Sequence, residues 1–185
     1  DSIIDAFRKR DWQDDTSVIN GVGMGFVNAI ASELSYKDPN KYKFINTGIG
    51  GNRIVDLYAR IKADCWNYQP DVITILVGVN DVWQEVYNQN GVEIERYERI
   101  YRMLITDTLK ALKNTKIILV EPFILRGKLT EEKFEECKAT FEYAKVVKKL
   151  AEEFRLPFVA IQNKFNEYAK VYGEQNTLVD GVHPT

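Results

Sequence analysis

The sequence predicts an α/β fold in which a parallel β-sheet carries helices on both faces. Two continuous β-branched runs, residues 71–77 (DVITILV) and 116–120 (KIILV), read as strands buried on both faces. Long stretches with apolar residues at helical spacing lie between and after them, so strands alternate with helices. With 185 residues, the chain is long enough for one domain with a real core. No internal repeat, low-complexity tract or linker divides it, and a single domain over 1–185 is expected.

The elements follow in order. Residues 11–25 are polar and Gly-containing, a loop before a helix over 26–34. Residues 43–46 read as a short strand, followed by the turn Gly48-Ile49-Gly50-Gly51. Ile54, Leu57, Tyr58 and Ile61 then recur at helical spacing. After the strand 71–77, residues 93–112 form a helix with Tyr97, Ile100, Tyr101, Leu104, Ile105 and Leu109 on one stripe. The strand 116–120 is stopped by Pro122. Residues 130–154 read as a long helix opened by Thr130, with Glu131 and Glu132 in its first turn. A short strand over 157–159 and a helix over 161–172, ended by Gly173, complete the pattern.

Composition excludes several classes. Hydrophobic residues make up 45% and charged residues 28%, with a net charge of -2. No basic surface suited to nucleic acid is implied, and no apolar run reaches the roughly 20 residues of a membrane span. Neither nucleic acid nor a membrane is therefore expected as a partner, while homo-oligomerisation stays open. Cys65 and Cys137 lack CxxC spacing and read as ordinary thiols. With a single histidine, a zinc site would have to draw mainly on carboxylates, so no metal is expected. The N-terminus lacks a signal pattern; a cytoplasmic location is expected, with a signal removed upstream of Asp1 as the alternative.

Chemistry concentrates in four clusters placed at the C-terminal ends of candidate strands: Asp1-Ser2, Gly50-Gly51-Asn52, Gly78-Val79-Asn80-Asp81 and Asp180-Gly181-Val182-His183-Pro184. His183 is the only imidazole in the chain, the one side chain whose ordinary titration suits proton transfer near neutrality. Ser2, just before a helix, reads as a nucleophile near free backbone N–H groups and a favourable dipole. His183 would take its proton, with Asp180 fixing the imidazole tautomer. Asn80 can aim an amide N–H at a developing oxyanion, and Gly51 lets its backbone N–H approach the same point.

Each cluster alone has a plainer reading. Asp1-Ser2 also reads as an N-cap or a frayed end, and Gly78–Asp81 as a turn with an N-cap. The Gly48–Gly51 turn also suits a phosphate loop, but Arg53 stands where a dinucleotide fingerprint needs its third Gly and no GKS or GKT follows. Asp180–Pro184 also reads as a structural turn. The order Ser, Asp, His is that of the α/β-hydrolases, but their G-x-S-x-G is absent.

Taken together, the four blocks resemble those of the SGNH (GDSL-type) hydrolases. The resemblance spans the chain and implies a three-layer α/β/α, flavodoxin-like fold with a central parallel sheet. It implies a catalytic Ser2, Asp180 and His183, and an oxyanion hole from the Ser2 and Gly51 N–H groups and the Asn80 side chain, with no cofactor. The family's Gly before Asp1, its central first strand and its closing helix have no counterpart here, so the sequence is expected to be a piece trimmed from a longer protein. Gly78-Val-Asn-Asp-Val-Trp83 and Glu121-Pro-Phe123 look most like the carbohydrate acetyl esterases of the family. Trp83 and Trp12 are then candidate walls for a sugar ring, with core packing as the alternative for Trp83. Arg53 would bind either a polar substrate group or a neighbouring carboxylate.

The expected function is a serine ester hydrolase acting on small-molecule or oligosaccharide esters, removing small acyl groups, acetyl foremost. A lipid or lysophospholipid esterase with the same site is the nearest rival. A non-catalytic carbohydrate-binding protein and a nucleotide-binding flavodoxin-like protein are rivals of other classes.

Overall fold

The computed structural model describes residues 1–10 and 21–185. It divides into two compact units, Asp1–Gly51 and Asn52–Thr185.

The first unit holds α1 (Ser2–Asp5) and α2 (Phe26–Lys37). The strand expected over 43–46 is absent: these residues join no ladder. Asn46, at the end of this stretch, is buried and uses its side chain to tie the unit together. Its Nδ2 donates to the carbonyls of Ile4 (2.5 Å) and Val22 (2.8 Å), and its Oδ1 accepts the Gly48 N–H (2.9 Å). Helix α2 runs three residues past the expected Leu34.

The second unit contains α3 (Ile54–Asp64), β1 (Val72–Ile75), α4 (Val79–Asn88), α5 (Ile94–Ala111), β2 (Lys116–Val120), α6 (Phe134–Cys137), α7 (Thr140–Phe154), β3 (Phe158–Val159) and α8 (Gln162–Tyr172). The strands pair in parallel in the order β1-β2-β3, with Ile73 opposite Ile117 and Leu119 opposite Phe158. This is the α/β class that the alternating pattern predicts. Ile73, Ile75, Ile117 and Leu119 join Ile54 and Ile61 of α3, Tyr97, Tyr101, Leu104 and Ile105 of α5, and Val147 and Leu150 of α7 in one apolar core.

Two expectations about elements change, and one element is added. Strand β1 is not buried on both faces: Ile73 and Ile75 are buried, whereas Val72 is 52% exposed. Side chains alternate along a strand, and the apolar core takes only one of its two sets. Residues 79–88, to which the pattern assigned no element, form α4, which starts directly after Gly78. The helix expected over 130–154 is broken: Thr130 lies in a turn, α6 spans a single helical turn, and the long helix begins at Thr140. The hydroxyl of Thr130 donates to the Leu125 carbonyl (2.8 Å), a bond within its own loop rather than a helix cap.

Both cysteines are free thiols; burial pushes that of Cys65 up to about 11. Among the described residues, no helix is long and apolar enough to cross a membrane.

Candidate active site

Ser2 and Gly51 lie in the first unit. Ser2 is the first residue of α1, not the residue before it. Asp1 is the N-cap, and its Oδ1 accepts the N–H groups of Ile3 (3.1 Å) and Ile4 (3.3 Å). Two N–H donors of the helix start are thus occupied, and a single turn has little dipole, which revises the expectation that free N–H groups and a helix dipole assist Ser2. Left-handed Ala6 (φ 41°) and Phe7 (φ 59°) follow the helix at once. The Gly48–Gly51 turn is laid against α1: the Gly50 N–H donates to Asp5 Oδ2 (2.8 Å), Arg8 Nε donates to the Gly48 carbonyl (2.9 Å), and a Cβ on Gly50 would stand 3.7 Å from that of Ser2. Gly51 has φ 79°, a conformation that side-chain-bearing residues resist. The Ser block and the Gly block therefore meet within this unit.

Asn80, Asp180 and His183 lie in the second unit. Asn80 is on the first turn of α4 and is buried. Its Nδ2 donates one hydrogen to the Asn52 carbonyl (3.1 Å), which orients the amide and directs its second N–H elsewhere. Asn52 is itself held by Arg60, whose Nε donates to Asn52 Oδ1 (2.8 Å). Beside it, Asp81 is fully buried and its Oδ1 accepts the Ile54 N–H (3.0 Å), joining the start of α3 to that of α4. Burial pushes the Asp81 carboxyl up to about 7, against the pull of that N–H, its own N–H and the Arg53 charge.

Asp180–Pro184 follows α8 and a short 3₁₀ turn, Glu174–Asn176, instead of a strand end. A bridge between Leu178 and Pro184 closes it into a tight turn. Asp180 Oδ1 accepts the backbone N–H groups of Val182 and His183 (both 2.9 Å), and its Oδ2 lies 2.7 Å from His183 Nδ1. Burial works to raise the Asp180 carboxyl, but the His183 backbone N–H, the His183 ring and the Val182 N–H outweigh it and hold it below the usual carboxylate range. An ionised Asp180 facing Nδ1 makes that nitrogen the donor and puts the imidazole lone pair on Nε2, the tautomer a general base requires.

The substrate-contact candidates fare unevenly. The Arg53 guanidinium grips both oxygens of Asp56 through Nε (3.0 Å) and Nη2 (3.1 Å), while Nη1 donates to the Asn90 carbonyl and side chain. Trp83 is half-buried on α4, one turn beyond Asn80, with its ring stacked on Tyr87 at 4.4 Å. Trp12 lies outside the described residues. A cavity of about 580 Å³ is lined by charged Arg126, Lys128, Glu131 and Glu174. Among the described residues, no three His, Cys, Asp or Glu side chains converge as metal ligands would.

Sequence reasoning missed Asn46 and Asp5, which act through long-range hydrogen bonds that leave no local pattern, and read Thr130 as a helix start although its hydroxyl closes a turn. Asp81 stood inside a recognised block, but only its burial shows what it does.

The model of the GDSL-like Lipase/Acylhydrolase family matches residues 1–185. The chain belongs to this family. This GDSL-like hydrolase is 32% identical to an acetylxylan esterase of Geobacillus stearothermophilus, over 100% of its own length and 84% of that protein. Its fold matches the crystal structure of a GDSL-like lipase from Parabacteroides merdae with a TM-score of 0.91 at 36% identity, covering 100% and 85% of the two chains. It matches that of the acetylxylan esterase Axe2 from G. stearothermophilus with a TM-score of 0.85 at 32% identity, covering 100% and 84%. Catalytic mutants of Axe2 with a serine or an aspartate replaced by alanine are also among the similar structures. As a member of this acylhydrolase family, the GDSL-like hydrolase is a carboxylic ester hydrolase.

Proposed function

We propose that the chain is a serine esterase that removes small acyl groups, acetyl foremost, from carbohydrate, and that its two units make up one catalytic domain. The observation that carries this reading is the grip of Asp180 on His183. One carboxylate oxygen takes two backbone N–H groups and the other takes Nδ1, so the imidazole is oriented and poised as a base. The likeness to an acetylxylan esterase supports acetyl as the acyl group and a xylan-type sugar as its carrier.

In this mechanism Ser2 Oγ attacks the ester carbonyl carbon as its proton passes to His183 Nε2. The carbonyl oxygen becomes an oxyanion, stabilised by the N–H groups of Ser2 and Gly51 and the Asn80 amide. Collapse breaks the bond to the sugar oxygen, which takes the proton from His183 and departs as an alcohol. The acyl group is then an ester on Ser2. Water gives a proton to His183 and attacks this ester, and the proton returns to Ser2 as acetic acid leaves and ionises in solvent. Asp180 remains ionised throughout and stabilises the imidazolium. The partly exposed Trp83–Tyr87 pair offers a ring face to sugar beside Asn80.

A fluorophosphonate probe, with paired rate measurements on acetylated xylooligosaccharide and a long-chain ester, tests the proposal. Wild-type protein should be labelled, Ser2→Ala should not, and acetyl should be the faster substrate. Labelling that persists in Ser2→Ala would remove Ser2 as nucleophile, and a strong long-chain preference would replace the carbohydrate ester with a lipid ester.

A further inference from the structure

The loop after β2 makes contacts that neither the fold nor the four sequence blocks require. Residues 125–130 lie along the Asp180 turn: the Leu125 N–H donates to the Gly181 carbonyl (2.9 Å), and the Leu129 N–H donates to the Asp180 carbonyl (3.0 Å). The main chain on both sides of the Asp180–Gly181 peptide bond is thereby fixed from a segment about fifty residues away.

The shape of this loop depends on two residues. Thr130 is fully buried; its hydroxyl accepts the Gly127 N–H (2.8 Å) and donates to the Leu125 carbonyl (2.8 Å), closing the turn on itself. Gly127 lets the two segments touch: a Cβ there would stand 2.5 Å from the Asp180 carbonyl carbon and nearer still to the Gly181 nitrogen. Gly181 meets it from the other side at φ 97°, where a Cβ would stand 2.6 Å from the Leu125 carbonyl oxygen. The far end of the loop reaches α4, because the Tyr87 hydroxyl donates to the Leu129 carbonyl (2.9 Å) and Lys133 Nζ donates to the Val86 carbonyl (3.0 Å). Helix α4 carries Asn80 at its other end.

We infer that residues 125–130 form a positioning brace for the acid–base pair, with Gly127 and Thr130 as positioning residues that hold Asp180 in register with His183 Nδ1. The inference rests on the reading of Asp180 and His183 as the acid–base pair. The brace acts through backbone geometry, not through charge. A small rotation of the Asp180 peptide would swing its carboxylate off the ring, and displacements near 1 Å can cost about 10²-fold in rate.

Thr130→Val keeps the volume and removes the hydroxyl contacts to Gly127 and Leu125; Thr130→Ser keeps the hydroxyl. Because the chain has one histidine, its hydrogen-bonded Nδ1 proton gives a single low-field NMR resonance that needs no assignment by elimination. Thr130→Val should lose or broaden this resonance and lower kcat on an acetyl ester by about 10-fold or more, with KM within about twofold. Thr130→Ser should restore both. Gly127→Ala, which pushes on the Asp180 peptide without touching the hydroxyl, should repeat the Thr130→Val signature and stands in for it should that variant not fold. A folded Thr130→Val or Gly127→Ala with wild-type resonance and kcat overturns the brace, as does Thr130→Ser as impaired as Thr130→Val. The resonance reports the brace whether or not the pair is catalytic; turnover that survives in His183→Ala would instead sink the catalytic reading.

Discussion

Asp180 and Asn80 show how much of a site is decided by what its side chains are already holding. Both oxygens of Asp180 are committed, one to two backbone N–H groups and one to the imidazole, so its charge is fixed in place and in direction. Asn80 commits one amide hydrogen to the Asn52 carbonyl and is thereby aimed with the other. Loss of one oxyanion donor typically costs about 10² to 10³ in kcat. Asn80→Ala should therefore remain folded but turn over an acetyl ester about 10² to 10³ times more slowly, with little change in KM. Steady-state kinetics beside thermal unfolding checks this, and near wild-type kcat would dismiss Asn80 from the oxyanion hole. The same logic lowers the standing of Arg53, whose guanidinium is engaged by Asp56 and Asn90 on every side.

Among the elements, α5 packs a continuous buried face against α3 and α7. Tyr97, Tyr101, Leu104, Ile105 and Thr108 fall on one face at intervals of three and four residues, and all are buried. The face is apolar yet anchored: the Tyr97 hydroxyl donates to the Val77 carbonyl at the end of β1, and Trp66 Nε1 donates to Thr108. Leu104 is completely enclosed among the core side chains from α3, β1, β2 and α7. Leu104→Ala should destabilise the protein by about 2 to 5 kcal/mol, since the transfer energy and a cavity are both lost. Denaturant unfolding measures this, and a cost well under 1 kcal/mol would mean that the core closes over the gap. Helix α8 is set differently, by Glu121 accepting the N–H groups of Ile161 and Gln162 (both 2.7 Å) just after β2.

For the whole molecule, the buried Asp81 ties stability to pH. Burial pushes its folded carboxyl up to about 7 from the ordinary 3.8. Between these values the folded state keeps a proton that the unfolded chain has released, so stability falls as pH rises through this window and levels off above about 7. Asp56, Glu98 and Asp180 act in the opposite sense, but their carboxyls are held below the ordinary range, so their contributions change in acid and are complete at neutral pH. Thermal unfolding at pH 5, 6, 7 and 8 should show wild type losing stability toward pH 8, and Asp81→Asn should flatten that slope. Equal slopes in the two proteins would show that Asp81 does not carry a proton into the neutral range.

Much of this architecture is legible in the chain itself. Apolar periodicity decides the elements that form the core, because β2, α5 and the long part of α7 must bury a continuous face whatever surrounds them. The four short blocks mark the residues of the candidate site, because Ser, Asn, Asp and His at those places have few other chemical uses in combination. Other features depend on contacts between residues far apart in sequence. Residues 43–46 have strand-like side chains but join no ladder, and the Asn46 side chain meets the carbonyls of Ile4 and Val22, which no local pattern announces. Thr130 looks like a helix cap until the folded chain shows its hydroxyl closing the turn that fixes Asp180. Local pattern records which face of a segment must be buried; only the folded chain records which distant carbonyl, carboxylate or ring that segment meets.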